Sequence, residues 1–193
     1  MRYLKIDRLD IADGPGIRVV VYVSGCRNRC PGCHNPESWS FAAGKPWTEK
    51  ERESVLRELE KPYIAGISIL GGEPFEEENQ KDLADLAEEA KRGFPEKTIW
   101  VWTGYSLKDL LPGGKKRTER TGGLLGAADA LVTEPFLIGE RDVSSANIWR
   151  GSRNQRALDA KRSLKEGREI PLEGVENAIW PEEARERLRK TKL

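Results

Sequence analysis

The sequence contains few cysteines, one histidine and one methionine, and it has no long apolar run. All three cysteines in the 193 residues fall between positions 26 and 33. An odd number of cysteines packed this closely suits a metal or redox site better than a disulfide framework. No apolar run approaches the roughly 20 residues that span a bilayer, and residues 1–10 contain no apolar signal core. We therefore expect a cytoplasmic protein with no membrane partner.

The chain also lacks an excess of either charge. It has 33 Lys and Arg against 32 Asp and Glu, so the whole chain has no electrostatic attraction for nucleic acid, and we expect no nucleic-acid partner. Its length allows a sizeable core. We expect one domain over residues 1–158, followed by a charged tail over residues 159–193, in which Pro181 suggests the start of a surface helix.

Four short apolar segments predict buried strands. Ile17–Val23 is a continuous run rich in β-branched residues, typical of a strand covered on both faces. The other three predicted strands are Gly66–Leu70, Thr98–Trp102 and Asp129–Val132. All four are followed by Gly, Pro or polar residues, and ligand sites form at that end of a parallel sheet or barrel. The motifs at these strand ends are therefore expected to converge.

The segments between the strands predict helices. Thr48 and Glu51 have the spacing of a capping box, which predicts a helix that continues to about Glu60. An amphipathic segment over residues 76–92 predicts a second helix, and Ser106 can cap a short third one. Residues 111–123 predict a flexible basic loop. This alternation predicts an α/β fold with a parallel sheet, and the length allows about five or six βα units in a short, open barrel.

The cysteines form the pattern CxxxCxxC, with Cys26, Cys30 and Cys33 directly after the first predicted strand. Iron–sulfur centres are bound by thiolates, and three of them on one loop reach three corners of a cubane cluster. The fourth iron then stays open for a substrate, as one position does in catalytic zinc sites. Two alternatives stay open at this point: a structural zinc ion with His34 as the fourth ligand, and three buried, inert cysteines.

This pattern resembles the signature loop of the radical SAM superfamily, whose members use S-adenosylmethionine (SAM). Further segments narrow the resemblance, and they are Asp13–Trp39, Gly71–Pro74 (GGEP), Ile99–Leu110 (IWVWTGYSLKDL) and Ile148–Gln155 (IWRGSRNQ). Together they resemble the glycyl-radical-enzyme activases that act on anaerobic ribonucleoside-triphosphate reductase. The resemblance spans roughly residues 5–156, and it implies a partial, open parallel β/α barrel of the radical SAM type.

The resemblance also implies cofactors and partners. A 4Fe-4S cluster would be bound by Cys26, Cys30 and Cys33, with SAM on the fourth iron. Reductive cleavage of SAM would then generate a glycyl radical on the large catalytic subunit of the reductase. The electron would come from a donor such as flavodoxin or ferredoxin.

Individual SAM contacts follow from the same resemblance. In the GGEP segment Gly71, Gly72 and Glu73 would bind the SAM ammonium group, although this segment could also be a simple turn at the end of a strand. The residues implied around the rest of SAM are Gly32, Cys33, His34 and Thr103. Tyr105 is expected to line the same pocket, whereas Trp100 and Trp102 are expected to pack into the core or an interface.

Three features have two interpretations each. Arg18 is either a charge near the cluster or a solvated strand residue. Glu134 stands where the family usually has an Asp-Gly pair, and it could replace the missing carboxylate. Residues 149–155 either shape the side that faces the partner or cap a helix through Ser152 or Asn154.

Three alternative functions also stay open. The first is activation of another glycyl-radical enzyme, and the second is a radical SAM reaction on a small molecule. The third is a non-catalytic module that holds structural zinc.

Overall fold

The computed structural model describes residues 1–142 and 149–174, and one sheet organises them. Its strands are β1 (Arg2–Asp10), β2 (Ile17–Val23), β3 (Lys45–Pro46), β4 (Ile64–Gly71), β5 (Thr98–Trp102), β6 (Ala130–Thr133) and β7 (Arg156–Asp159). The α-helices are α1 (Glu49–Leu59), α2 (Glu77–Gly93), α3 (Leu107–Leu110), α4 (Thr121–Ala127) and α5 (Ala160–Glu166). Two short 3-10 helices cover Pro36–Trp39 and Ile138–Glu140.

The sheet has the strand order β3-β1-β2-β4-β5-β6-β7. Its centre, β2, β4, β5 and β6, is parallel, which confirms the α/β class and the four predicted strands. Strands β1, β3 and β7 are antiparallel to their neighbours, so the predicted parallel sheet is confirmed for its centre only. Residues 11–16 connect β1 to β2, and a crossover between parallel strands needs a dozen or more residues.

The predicted bounds agree closely with the structure. β2 and β5 have the predicted bounds, and the capping box of Thr48 and Glu51 opens α1. Ser106 caps α3 by accepting a hydrogen bond from the Asp109 N–H. The basic loop expected over residues 111–123 ends three residues early, because α4 begins at Thr121, whose hydroxyl donates to the Gln80 side chain on α2.

The two faces of the sheet differ. Paired residues on parallel strands share a face, so Val19, Ile67, Ile99 and their neighbours form one apolar surface. All five α-helices contribute side chains to the same core on that face. The opposite face carries Arg18, Ser68 and aromatic side chains of β2 and β5, and no helix covers it within the described residues. The described α-helices therefore leave this face free for a cavity.

Arg18 lies on the second face and is fully buried, so it is not a solvated residue. Its guanidinium donates to the Ser68 hydroxyl (2.7 Å) and the Ile67 carbonyl (2.7 Å). It also donates to the Thr98 hydroxyl and carbonyl and to the Pro15 carbonyl, so five neutral acceptors match the five N–H donors. Burial lowers the pKa of Arg18 to about 10, a value at which the side chain is still charged at neutral pH. The Arg18 side chain thus links β2 to β4 and β5 by hydrogen bonds on this face of the sheet.

The described part of the tail packs on the sheet. Ala160 in α5 is buried in the helix-side core, and the Asp159 N–H donates to the Ile170 carbonyl. The predicted division at residues 158 and 159 stays a prediction, and the expected helix at Pro181 lies outside the described residues. No helix in the described part of the chain is long and apolar enough to cross a membrane.

Candidate functional site

A cavity of about 340 Å³ opens at the carboxyl end of the parallel strands. Its lining contains nearly every residue that the sequence singled out as a site residue: Cys26, Cys30, Cys33, His34, Gly71, Gly72, Glu73 and Thr103. Gly32 lies beside the cavity, where a Cβ atom would come within 2.6 Å of the Ile138 Cδ1. Segments far apart in sequence thus meet at one edge of the sheet.

The cysteine loop is fixed by backbone hydrogen bonds. The N–H groups of Gly25 and Cys26 donate to the carbonyls of Ser38 and Trp39, which anchors the start of the loop. The Glu73 N–H donates to the Gly25 carbonyl at 2.8 Å. A Cβ atom on Gly72 would lie only 2.6 Å from that carbonyl oxygen, so glycine here permits the cysteine loop and the GGEP turn to touch.

The three thiols are free, half-buried and directed to the same cavity. Burial, and after it the negative charge of Glu73, raises the pKa of Cys26 to about 11. Burial and the neighbouring Cys33 also raise the pKa of Cys30. Thiolates in such surroundings need nearby positive charge, which the irons of a cluster provide.

The donor set fits a cluster better than a single ion. Within residues 1–142 and 149–174, no three His, Cys, Asp or Glu side chains are grouped closely enough to hold one metal ion. A structural zinc ion needs four ligands around one centre, whereas each cysteine of a cubane binds a different iron. His34 lines the cavity, and its ring packs against Phe136 with the ring centres 5.7 Å apart.

Glu73 is buried and accepts four hydrogen bonds. Its Oε1 accepts from the Phe75 N–H (2.9 Å) and the Thr103 hydroxyl (2.7 Å). Its Oε2 accepts from the Gly104 N–H (2.7 Å) and the Asn28 side-chain amide (3.2 Å). Burial raises the pKa of Glu73 to about 7, although these hydrogen bonds act in the opposite direction. Glu73 thus connects the cysteine loop to the end of β5.

Glu76 makes a second connection between the same two segments. The side chain is buried, and its carboxylate accepts from the Arg27 N–H (2.9 Å) and the Tyr105 hydroxyl (2.7 Å). The Arg27 guanidinium and the Lys116 ammonium pair with the other oxygen. Tyr105 is therefore directed toward Glu76, and it is absent from the cavity lining where the sequence placed it.

The floor of the cavity is aromatic. Trp102 lines it and donates its indole N–H to the Trp149 carbonyl at 2.7 Å. The Trp149 ring packs edge-on against Trp100, with the ring centres 4.8 Å apart. The expectation that Trp102 packs away from the cavity was therefore wrong.

Residues 149–155 hold the loop that follows β6. The Gln155 amide donates to the Glu134 carbonyl, and the Asn154 amide donates to the Pro135 carbonyl. Ser152 accepts from the Leu137 N–H, and Asp159 caps the helix that follows, so neither Ser152 nor Asn154 caps α5. Glu134 itself lines the cavity, and burial raises the pKa of its side chain.

Several lining residues were missed by the sequence analysis as individual site residues. These are Asp13, Asn28, Trp39, Leu70, Phe136 and Gln155. Asn28 and Trp39 lie within the segment that carries the family resemblance, but only the folded chain shows that their side chains reach the cavity. Asp13 begins the same segment, and its side chain accepts a hydrogen bond from the Tyr22 hydroxyl at 2.7 Å.

Comparisons with known proteins agree with this site. A family model described as a 4Fe-4S single cluster domain matches residues 12–158. The chain is 35% identical over 156 residues to the anaerobic ribonucleoside-triphosphate reductase-activating protein of Enterobacteria phage T4, covering 81% of this chain and 92% of the relative. Proteins of the same name from Pasteurella multocida and Escherichia coli K12 are 36% and 35% identical over 157 residues. These two matches cover 80% of this chain and 95% and 96% of the relatives.

The matched residues include the whole cysteine loop, the GGEP turn and the strand ends that line the cavity. The chain belongs to the family of anaerobic ribonucleoside-triphosphate reductase-activating proteins.

Proposed function

We propose that this protein activates anaerobic ribonucleoside-triphosphate reductase by reductive cleavage of SAM at a 4Fe-4S cluster. Cys26, Cys30 and Cys33 would bind three irons, and SAM would bind the fourth. One observation carries the proposal: the three thiols and the buried carboxylate of Glu73 line a single cavity.

A bound, reduced cluster would supply the one electron that the cleavage of SAM into methionine and a 5′-deoxyadenosyl radical requires, and the hydrogen atom would come from a glycine of the reductase. Glu73 would pair with the SAM ammonium group, because a buried carboxylate that forms no salt bridge with the described part of the chain binds a cation strongly. Of the four hydrogen bonds that Glu73 accepts, the one from Asn28 is the longest, and Asn28 also lines the cavity. The SAM ammonium group would therefore replace Asn28 as the donor to Glu73. Thr103 and Gly104 would keep the carboxylate oriented.

The other lining groups have proposed roles as well. Gly71 and Gly72 would let the backbone approach SAM, and Gly32 and His34 would lie beside its adenine. Glu134, at the end of β6, would supply the carboxylate that the family usually places after this strand.

The fold suits a protein substrate. The α-helices cover one face of the sheet, and the cavity opens on the other, as in a partial, open β/α barrel. A glycine loop of the large reductase subunit must bring its Cα atom close to the radical, since abstraction requires contact. We place the reaction in the cytoplasm, with flavodoxin or ferredoxin as the electron donor.

The experiment is an anaerobic assay for 5′-deoxyadenosine after reconstitution with iron and sulfide, reduction and addition of SAM. We expect a brown protein that forms this product, and a glycyl-radical signal once the large reductase subunit is present. Cys30→Ala should abolish the product while the circular dichroism spectrum stays unchanged.

His34→Ala is the matched control, because it separates the cluster from a zinc site. With a cluster, this variant keeps its three thiolate ligands and its iron. A zinc site would lose its fourth ligand and release metal. A colourless wild-type protein with stoichiometric zinc and no 5′-deoxyadenosine would refute the proposal.

A further inference from the structure

Two carboxylates three residues apart join the cysteine loop to the end of β5, and only one faces the cavity. Glu73 lines the cavity, whereas Glu76 is absent from its lining and is also buried, with 1% of its surface exposed. A buried charge is costly unless it is fully paired, so the position of Glu76 calls for a specific arrangement of donors. The four contacts of Glu76 supply that arrangement.

These contacts come from three separate segments. Arg27 follows the first cysteine and gives both its backbone N–H and its guanidinium. Tyr105 follows the β5 end that holds Glu73, and Lys116 belongs to the loop before α4. The Gln80 side-chain amide donates to the Lys116 carbonyl at 2.9 Å, which holds the backbone that carries the Lys116 ammonium group. Four hydrogen bonds are about as many as one carboxylate can accept.

The backbone contact gives Glu76 an effect on the site. The hydrogen bond from the Arg27 N–H to Glu76 restricts the peptide group that joins Cys26 to Arg27, and Asn28 is the next residue. Cys26 lines the cavity, and Asn28 donates to Glu73. We propose that Glu76 is a positioning residue that sets the direction in which Cys26 and Asn28 face the cavity. The effect of Glu76 on a bound cluster rests on the proposed function, whereas its effect on the cysteine loop does not.

Glu78 offers a matched control on the same arginine. It pairs with the Arg27 guanidinium at 2.6 Å but is exposed and makes no contact with the Arg27 N–H. Loss of Glu78 therefore removes an ion pair of the same side chain without releasing the peptide. Exposed ion pairs of this kind contribute little.

The experiment compares Glu76→Gln and Glu78→Gln in two states of the full chain. In the iron-free chain, NMR amide exchange is measured at Arg27. After reconstitution, iron content and the electron paramagnetic resonance spectrum of the reduced cluster are recorded. We expect Glu76→Gln to speed exchange at Arg27 about tenfold and to alter the g values, whereas Glu78→Gln stays within about twofold of wild type.

Tyr105→Phe provides a second variant if Glu76→Gln does not fold. It removes one donor from Glu76 and should produce a smaller change in the same direction. Wild-type exchange and wild-type g values in Glu76→Gln would overturn the inference. Faster exchange at Arg27 in Glu76→Gln, together with a wild-type protein that itself assembles no cluster, would support the positioning role and refute the proposed function, so the two failures are distinguishable.

Discussion

The two faces of the sheet are made from alternating residues of the same strands, yet they serve different purposes. On the helix side, Val21, Ile69 and Val101 belong to the buried apolar core. On the cavity side, Arg18 and Ser68 form a buried polar network, and Trp102 forms part of the cavity lining. Apolar packing tolerates small changes in shape, whereas a polar network requires every donor and acceptor to be matched. Substitutions on the two faces should therefore fail in different ways.

Arg18→Met should have the largest effect, because it leaves buried carbonyl and hydroxyl acceptors on two strands without a donor. We expect a loss of about 4 kcal/mol in the free energy of unfolding, measured by urea denaturation. Arg18→Lys keeps the charge but offers three donors in place of five, and it should lose about half as much. A loss below about 1 kcal/mol for Arg18→Met would show that the network does not stabilise the fold.

Neighbouring residues on β4 allow a direct comparison of the faces. Ile69→Ala removes a fully buried side chain on the helix side and should cost about 3 kcal/mol, with no change in the dissociation constant for SAM. Leu70→Ala acts on a half-buried side chain in the cavity lining. It should cost about 1 kcal/mol and weaken SAM binding about fivefold. Equal effects on SAM binding would contradict the division of roles.

Trp102→Phe tests the cavity side alone. The change keeps an aromatic ring but removes the indole N–H that donates to the Trp149 carbonyl. We expect a loss of about 1 kcal/mol and faster proteolysis within residues 149–155, measured by mass spectrometry of the fragments. Proteolysis at the wild-type rate would mean that other contacts hold this segment.

The smallest expected effect concerns Asp129, at the opposite end of the sheet from the cavity. Burial alone would raise the pKa of Asp129, but hydrogen bonds from Lys161, Lys91 and the Ile99 N–H outweigh it and lower the pKa. The contribution to stability is therefore present above the ordinary Asp pKa of about 4 and is lost as the pH falls through the lower folded value.

Denaturation curves between neutral and strongly acidic pH should show this dependence. The pH dependence of Asp129→Asn should be flatter than that of wild type by about 1 kcal/mol or less, because Asp129 is partly exposed. An identical pH dependence would exclude Asp129 as a contributor.

The central strands were predictable because their apolar runs are unambiguous. Ile17–Val23 and Thr98–Trp102 were predicted with the bounds that the structure has. β1 (Arg2–Asp10) escaped prediction because charged residues interrupt its apolar ones, and β7 because it is short and partly polar. Hydrophobic runs identify strands that are buried on both faces, and they miss strands with a mixed pattern of polar and apolar residues.

The candidate site was predictable only where motifs carry it. The cysteines and the GGEP turn are local patterns, so their meeting at the strand ends was expected from the parallel sheet. The role of Arg18 was missed, because its five acceptors come from segments up to 80 residues away. The contacts of Glu76 were missed for the same reason, since no short pattern joins it to Arg27, Tyr105 or Lys116.

The seventh strand has a consequence for self-association. The family match ends at residue 158, inside β7, yet the following residues continue the same structure. The Leu172 N–H donates to the Ala157 carbonyl and the Asp159 N–H to the Ile170 carbonyl, so this later segment covers the outer side of β7. A chain cut after Leu158 would present unpaired peptide groups along that side, the kind of edge to which a strand of another molecule adds. Residues 170–172 thus occupy the position that such a strand would take beside β7.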